Sequence, residues 1–200
     1  MKILNLYAGL GGNRKHWDGH DITAVESDPR LADQYQQFYP HDTVIIEDAH
    51  QYLLDHADGF DFIWSSPPCQ SHTRMIRSGK NRKPRYPDLR LYEEILFLMT
   101  DYEGSWVVEN VKPYYTPLVA PARELGRHMF WSNLDLSPVQ DVPSPPNFIN
   151  TTTVAGANLL KDWLGLQYDG NIYYGNNHCP GQVLRNCVHP DIGQQVLGCV

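Results

Sequence analysis

Cysteine is scarce in this sequence. Cys69, Cys179, Cys187 and Cys199 are the only four in 200 residues, which argues against a disulfide-stapled scaffold and makes reduced thiols the default. Long apolar runs are absent as well. No stretch of about 18 apolar residues occurs, so no transmembrane helix and no membrane partner are predicted. The opening residues, MKILNLYAGLGG, have the pattern of a strand rather than of a signal peptide, which predicts a cytoplasmic protein. Positive charge is in short supply too, with 16 Lys and Arg against 23 Asp and Glu and a net charge of −7. Spread evenly, that balance would exclude a phosphate-rich partner. There is no internal repeat, and the length leaves no room for a second full domain. What remains, 42% hydrophobic and 20% charged with a mean hydropathy of −0.46, is a globular chain able to bury a core around a cleft.

The basic residues are not spread evenly. Arg74, Arg77, Lys80, Arg82, Lys83, Arg85 and Arg90 fall within 19 positions opposed only by Asp88, so seven of the 16 cations share one segment. Taken alone, such a run reads as a solvated loop. Its place in the fold decides otherwise.

Apolar periodicity predicts strands at Lys2–Tyr7, Ile22–Glu26, Thr43–Ile46, Phe60–Trp64 and Trp106–Val108, the last ending at Glu109. Helices are expected to start at Asn13–Trp17 and to span Pro29–Phe38, Ala49–His56, Leu89–Tyr102, Val154–Leu166 and Pro190–Leu197. Strands alternating with helices predict an α/β fold with a doubly wound, mostly parallel sheet. Val139–Asn150 carries Pro143, Pro145 and Pro146 with little periodicity and reads as a linker or extended loop, and Asp169–Asn177 reads as turn-rich.

In such a sheet, ligands bind beyond the carboxyl ends of the strands. After the first strand comes Gly9-Leu10-Gly11-Gly12, a turn whose bare backbone and following helix N-terminus suit close approach to a ligand. Glu26 follows the second strand, where an acid commonly holds ribose hydroxyls, and Asp48 follows the third, where it could accept from an exocyclic amine. Together they suggest an adenosine-containing cofactor. Pro67-Pro68-Cys69-Gln70-Ser71 follows the fourth strand and puts one cysteine on a stiffened turn, with the basic run available to stabilise a thiolate and bind phosphates. Glu109 follows the fifth, a carboxyl suited to acid catalysis.

These residues, in this order, resemble the C5-cytosine DNA methyltransferases. Asn5-Leu6-Tyr7-Ala8-Gly9-Leu10-Gly11-Gly12 looks like the family's cofactor turn, with Tyr7 in place of its usual phenylalanine. Pro67-Pro68-Cys69-Gln70 and Glu109-Asn110-Val111 look like its two catalytic motifs. The resemblance implies a Rossmann-like, S-adenosylmethionine-dependent catalytic domain over residues 1–200. Tyr7, Ala8, Gly9, Leu10, Gly11, Gly12, Glu26, Ser27, Asp48, Ala49, Pro67, Asn186 and Val188 would bind the cofactor. Cys69, Glu109 and Arg127 would be catalytic. Gln70, Ser71, Arg74, Arg77, Lys80, Arg82, Lys83 and Arg85 would contact a cytosine-containing DNA duplex with the target base flipped out.

Three departures stand out. Met129 takes the place of the family's second arginine after Arg127. Arg185 replaces the glycine before Asn186-Cys187-Val188. The usual recognition domain shrinks to roughly fifty residues, with 135–155 as its remnant or a linker. Recognition is then either short and relaxed or supplied by a protein partner. The economy suits a restriction-protecting enzyme of a phage or prophage, acting near the nucleoid of a bacterial or infected cell. Two alternatives carry weight: a tRNA cytosine-C5 methyltransferase, and a silent DNA-binding regulator suggested by Met129 and the missing domain. A metal module from His178, Cys179, Cys187 and His189 lacks a common zinc spacing, so no metal is expected. Neutralising Arg82, Lys83 and Arg85 is expected to weaken DNA binding and flatten its salt dependence. The slope of log K on log salt should shrink by about 0.9 for each phosphate that is no longer neutralised; unchanged affinity in a salt titration would make the run a solvated loop.

Overall fold

The computed structural model describes residues 1–77, 85–174 and 178–200. Five strands run parallel: β1 (Lys2–Leu6), β2 (Asp21–Val25), β3 (Thr43–Ile45), β4 (Phe62–Ser65) and β5 (Ser105–Val111). A short β6 (Arg123–Leu125) and β7 (His128–Ser132) follow, and β7 is antiparallel to both β5 and β6. All seven form one sheet in the order β3-β2-β1-β4-β5-β7-β6. The helices are α1 (Pro29–Phe38), α2 (Ala49–His56), α3 (Arg90–Thr100), α4 (Val154–Leu164), α5 (Gln182–Arg185) and α6 (Pro190–Leu197).

The sheet is covered on both faces, as the near-continuous apolar runs of its central strands require. Leu4, Leu6, Ile63 and Val108 point to one face, against Leu53 of α2 and Ile95 and Leu98 of α3. Ile3, Phe62, Trp64 and Val107 point to the other, against Trp17 and against Ile192 and Val196 of α6. Strand order reverses direction between β1 and β4, which opens a crevice at their carboxyl ends.

Local chemistry sets most boundaries. Asp28 caps α1 by accepting from Arg30 N, with Pro29 at the first helical position. Asp48 caps α2 by accepting from Gln51 N, and Gly165 closes α4 in the left-handed conformation. The helix expected from Asn13 does not form. Residues 13–17 make successive turns because their side chains are drawn inward. Asn13 Nδ2 donates to Asn5 Oδ1 at 2.8 Å, Arg14 pairs with Asp42 at 2.6 Å, and Trp17 Nε1 donates to Gly193 O at 3.1 Å. Gly193 is needed there, since a Cβ would lie 2.0 Å from Asn13 O.

The fifth strand does not stop at Glu109. β5 continues to Val111 because β7 pairs with it from Val107 to Val111. The fourth runs Phe62–Ser65, two residues later at its start than the apolar pattern suggests, since Phe60 N closes a turn onto Ala57 O. The proline-rich 139–150 stretch is irregular but not a loose spacer. Val139 is buried against the α6 face, and Phe148 is buried with Leu160 and Leu164 of α4. Among the described residues, no helix is long and apolar enough to cross a membrane.

Candidate active site

A cleft of about 930 Å³, its open mouth included, lies at the β1/β4 crevice, within the range of small-molecule sites. The turn after β1 forms one wall. Tyr7 sits at φ +55°, unusual for a bulky residue, and its hydroxyl donates to Glu94 at 2.5 Å. Glu94 is fully buried and also accepts from Ser65 Oγ at 2.6 Å and meets His50 Nδ1 at 3.0 Å. That network accounts for the hydroxyl which distinguishes Tyr7 from a phenylalanine.

The three glycines do not share one role, and no helix N-terminus follows them. A Cβ on Gly9 would meet only Tyr7 O, at 3.9 Å, so Gly9 leaves open space toward the cleft. At Gly11 a Cβ would strike the rings of Tyr39 and Tyr35 at 2.4 and 2.6 Å, and at Gly12 it would strike Val188 O at 2.6 Å and Cys187 Cβ at 2.8 Å. Those two absences serve packing. Glu26, on the same wall, accepts from Gly9 N and Asp28 N, each at 2.9 Å, and burial raises its pKa. Each carboxylate oxygen keeps a lone pair for a ribose hydroxyl, so the wall fits an adenosine-bearing cofactor.

Cys69 sits on the far wall, on a turn tied down from three sides. Cys69 O accepts from His72 N at 3.1 Å and Thr73 N at 3.0 Å. Asn110 Nδ2 donates to Pro67 O at 2.9 Å, which fastens the proline turn to β5. His72 Nδ1 meets Tyr115 Oη at 2.5 Å. Among the described residues, the members of the basic run expected to stabilise a thiolate are not among the charges that act on Cys69. Burial pushes the Cys69 thiol up, the Glu109 charge pushes it further, and among the described residues Arg127 is the cation that opposes them.

Glu109 is buried in β5 with its pKa pushed up to about 7 by burial, against the pull of Arg127 and the Ser66 hydroxyl. Arg127 is anchored by Arg185 O and stacks 4.7 Å from the Phe148 ring centroid. Met129 cannot substitute for a second arginine. Glu109 pairs with Phe130 and Asn110 with Met129, so Met129 belongs to the opposite face, packed in the core with Trp131 and Tyr92.

Of the residues expected from the sequence, Tyr7, Ala8, Gly9, Leu10, Gly12, Glu26 and Ser27 line the cleft, as do Pro67, Cys69, Gln70, Glu109, Arg127, Asn186 and Val188. Others lie off it. Gly11 is packed under Tyr35 and Tyr39, Asp48 is exposed and reaches Arg90 at 3.4 Å, and Ala49 is in the core. Ser71 Oγ accepts from Asp88 N at 3.0 Å. Arg74 and Arg77 border a neighbouring groove with Tyr114 and Tyr115, where Arg77 stacks 4.2 Å from the Tyr114 centroid. Arg85 is exposed. Lys80, Arg82 and Lys83 fall outside the described residues. Among the cleft residues that escape a sequence reading are Tyr174, from the turn-rich stretch, His128, beside Arg127, and Val183 of α5. Among the described residues, no group of three or more His, Cys, Asp or Glu is arranged to hold a metal ion; Cys187 is buried under Gly12, and His189 caps α6.

The chain is similar in sequence to known cytosine-C5 methyltransferases. The tRNA (cytosine(38)-C(5))-methyltransferases of Mus musculus and Homo sapiens are each 26% identical over 121 residues, 57% of this chain. The chain spans only 29% and 31% of their lengths. Among solved structures, a Spodoptera frugiperda DNMT2 mutant matches at 27% identity and TM-score 0.39, covering 56% of this chain and 35% of that one. A SAM-dependent methyltransferase of Agrobacterium tumefaciens matches at 16% identity and TM-score 0.40, covering 58% and 40%. The family described as C-5 cytosine-specific DNA methylase matches residues 1–117, more than half the sequence and the part that carries both Cys69 and Glu109. With the glycine turn, the Pro-Pro-Cys turn and the Glu-Asn-Val strand converging on one cleft, the chain belongs to the C-5 cytosine-specific DNA methylases, a family that draws its methyl group from S-adenosylmethionine.

Proposed function

We propose that this protein methylates carbon 5 of a flipped-out cytosine in DNA through a covalent bond between Cys69 and carbon 6 of the base. The observation that carries this reading is the shared cleft: Cys69 after β4, Glu109 on neighbouring β5 and Arg127 form one wall, facing Glu26 and Gly9.

Bound S-adenosylmethionine supplies an electrophilic methyl on a sulfonium, and Glu26, Ser27, the Tyr7–Leu10 turn and Asn186 are the residues that would hold it. The protein's own task is to make carbon 5 a nucleophile. Cys69 and Glu109 share that work, and the productive pair is a thiolate beside a protonated acid. The thiolate adds at carbon 6 while Glu109 gives its proton to ring nitrogen 3, so the electron pair of the 5,6 double bond becomes available at carbon 5. After carbon 5 has taken the methyl, it gives its proton to solvent water, the pair of that bond restores the 5,6 double bond as the Cys69–carbon 6 bond breaks with its electrons leaving on sulfur, and the nitrogen 3 proton returns to Glu109. The Arg127 guanidinium offsets negative charge across the pair. Arg74, Arg77 and Arg85 lie exposed beside the Cys69 turn, which supports a role in holding a phosphate backbone with the base extruded. We read residues 135–155 as a reduced recognition region, helped by a protein partner where sequence must be read.

A second reading, transfer to tRNA, is favoured by the curated relatives, whose names specify cytosine 38 of tRNA. Offering labelled methyl donor with duplex DNA and, separately, with tRNA decides between them, with bisulfite sequencing to map the product. Carbon-5 label in DNA is the expected result. Label in tRNA alone moves the substrate to RNA, and cofactor binding without transfer to either leaves a silent binding protein or a missing partner.

A further inference from the structure

Cytosine chemistry at this site asks more of Glu109 than burial. Its carboxyl must present one chosen oxygen, carrying the proton, to ring nitrogen 3, yet a carboxyl in a pocket can turn over or protonate on either oxygen. Among the described residues, the groups facing it are few. The Cys69 thiol and Ser66 hydroxyl approach from the turn after β4, and Arg127 and His128 approach from the β7 side. His128 Nε2 lies 3.7 Å from Glu109 Oε1. The strand register explains why. In the β5/β7 pair Glu109 stands opposite Phe130 and Val111 opposite His128, so His128 is the diagonal neighbour of Glu109 on the same face. The imidazole is buried, lines the cleft, and is fixed edge-on against Phe130 with centroids 6.3 Å apart.

We propose that His128 is a positioning residue for Glu109: its Nε2–H donates to Oε1 and leaves the other oxygen as the one that carries the proton to the base. The separation of 3.7 Å is longer than a made hydrogen bond, and closing it to about 2.9 Å needs a shift that catalytic contacts commonly make when substrate enters. Burial, and to a lesser degree the neighbouring Arg127, hold the ring's pKa well below the ordinary histidine value. That direction favours the neutral ring, which can orient a carboxyl without adding a second cation to Arg127.

The purpose of the device rests on the proposed cytosine reaction, but its test does not. Protein labelled with 13C at the glutamate carboxyl carbon is titrated by NMR, with the Glu109 signal assigned from its loss in Glu109→Gln. Removing a donor from a carboxylate disfavours the ionised form. His128→Phe, which keeps an aromatic ring but no N–H, should therefore raise the Glu109 midpoint by at least about half a unit, and His128→Gln, which restores an N–H near the same place, should return it. With an active acceptor, His128→Phe should lower kcat by about ten- to a hundredfold at unchanged KM, as expected for a misplaced catalytic group, and His128→Gln should recover most of it. A midpoint that stays put or falls in folded His128→Phe overturns the assignment. Absence of methyl transfer by the unmodified protein would instead overturn the proposed function, and the titration would still be readable.

Discussion

Replacing Cys69 with serine is expected to stop methyl transfer, by at least about a thousandfold in single-turnover rate, as is usual when a covalent nucleophile is removed. The substitution is nearly isosteric and the turn is held by backbone and by Asn110 rather than by the sulfur, so the fold should persist. What disappears is acidity. Burial and Glu109 already hold the thiol above its ordinary pKa, and a hydroxyl starts many units higher, leaving essentially no anion to add to carbon 6. Cofactor affinity, measured by calorimetry, should change less than about twofold, because Glu26 and Gly9 stand on the other wall. A companion measurement uses an oligonucleotide with fluorine at carbon 5. Fluorine cannot leave as a cation, so the Cys69–carbon 6 bond should be trapped in the unmodified protein and absent in Cys69→Ser. A serine variant that methylates at normal rate would sink the nucleophile assignment.

Glu109→Gln should lower kcat by about 10²–10⁴-fold, the usual worth of a positioned acid, with little change in nucleic-acid affinity. The unmodified protein should show kcat/KM rising as pH passes through about 7, the Glu109 value, because the Cys69–Glu109 pair must lose one proton to reach the thiolate–acid state. The two limbs of the profile belong to the pair rather than to either residue. The glutamine variant should lose the limb near 7. Stability should move the other way. The folded pKa of Glu109, about 7, lies above its ordinary 4.5, so between those values the unfolded chain has released a proton that the native protein retains. Stability therefore falls as pH rises through that window and levels off above it, by about 3 kcal/mol if the whole shift is realised. Glu109→Gln should be free of that loss and melt higher than the unmodified protein at pH 8. Equal melting temperatures at pH 8, or an unchanged rate, would show that Glu109 is not the buried acid of the reaction.

The parts of this protein legible in its sequence are those where one local rule acts without competition. Ala49–His56 and Pro190–Leu197 are readable to the residue, since each has a capping side chain at one end and apolar spacing throughout. Cys69 and Glu109 are readable as neighbours because parallel strands bring their carboxyl ends together whatever the packing details. What is not legible depends on partners far along the chain. Asn13–Trp17 has helical spacing, but Asp42 and Gly193 claim its side chains. Gly11 reads as ligand-facing until Tyr35 and Tyr39 are seen to fill the space. Asp48 has the right position after a strand, yet its side chain turns to its own helix and to Arg90. His128 carries no local signal at all. Its meaning comes from the register of an antiparallel pair, which no periodicity within β7 reveals.

The lock between Trp17 and Gly193 also bears on how the protein comes into being. A ribosome releases Cys69 and Glu109 long before the residues that back the glycine turn, Cys187, Val188 and Gly193. At about 5–20 residues per second, several seconds separate the emergence of the reactive pair from that of its scaffold. Until then that face of the sheet lacks α6, and the Trp17 indole lacks the Gly193 carbonyl to which it donates. The nascent chain thus carries Cys69 in an unfinished cleft until α6 has emerged.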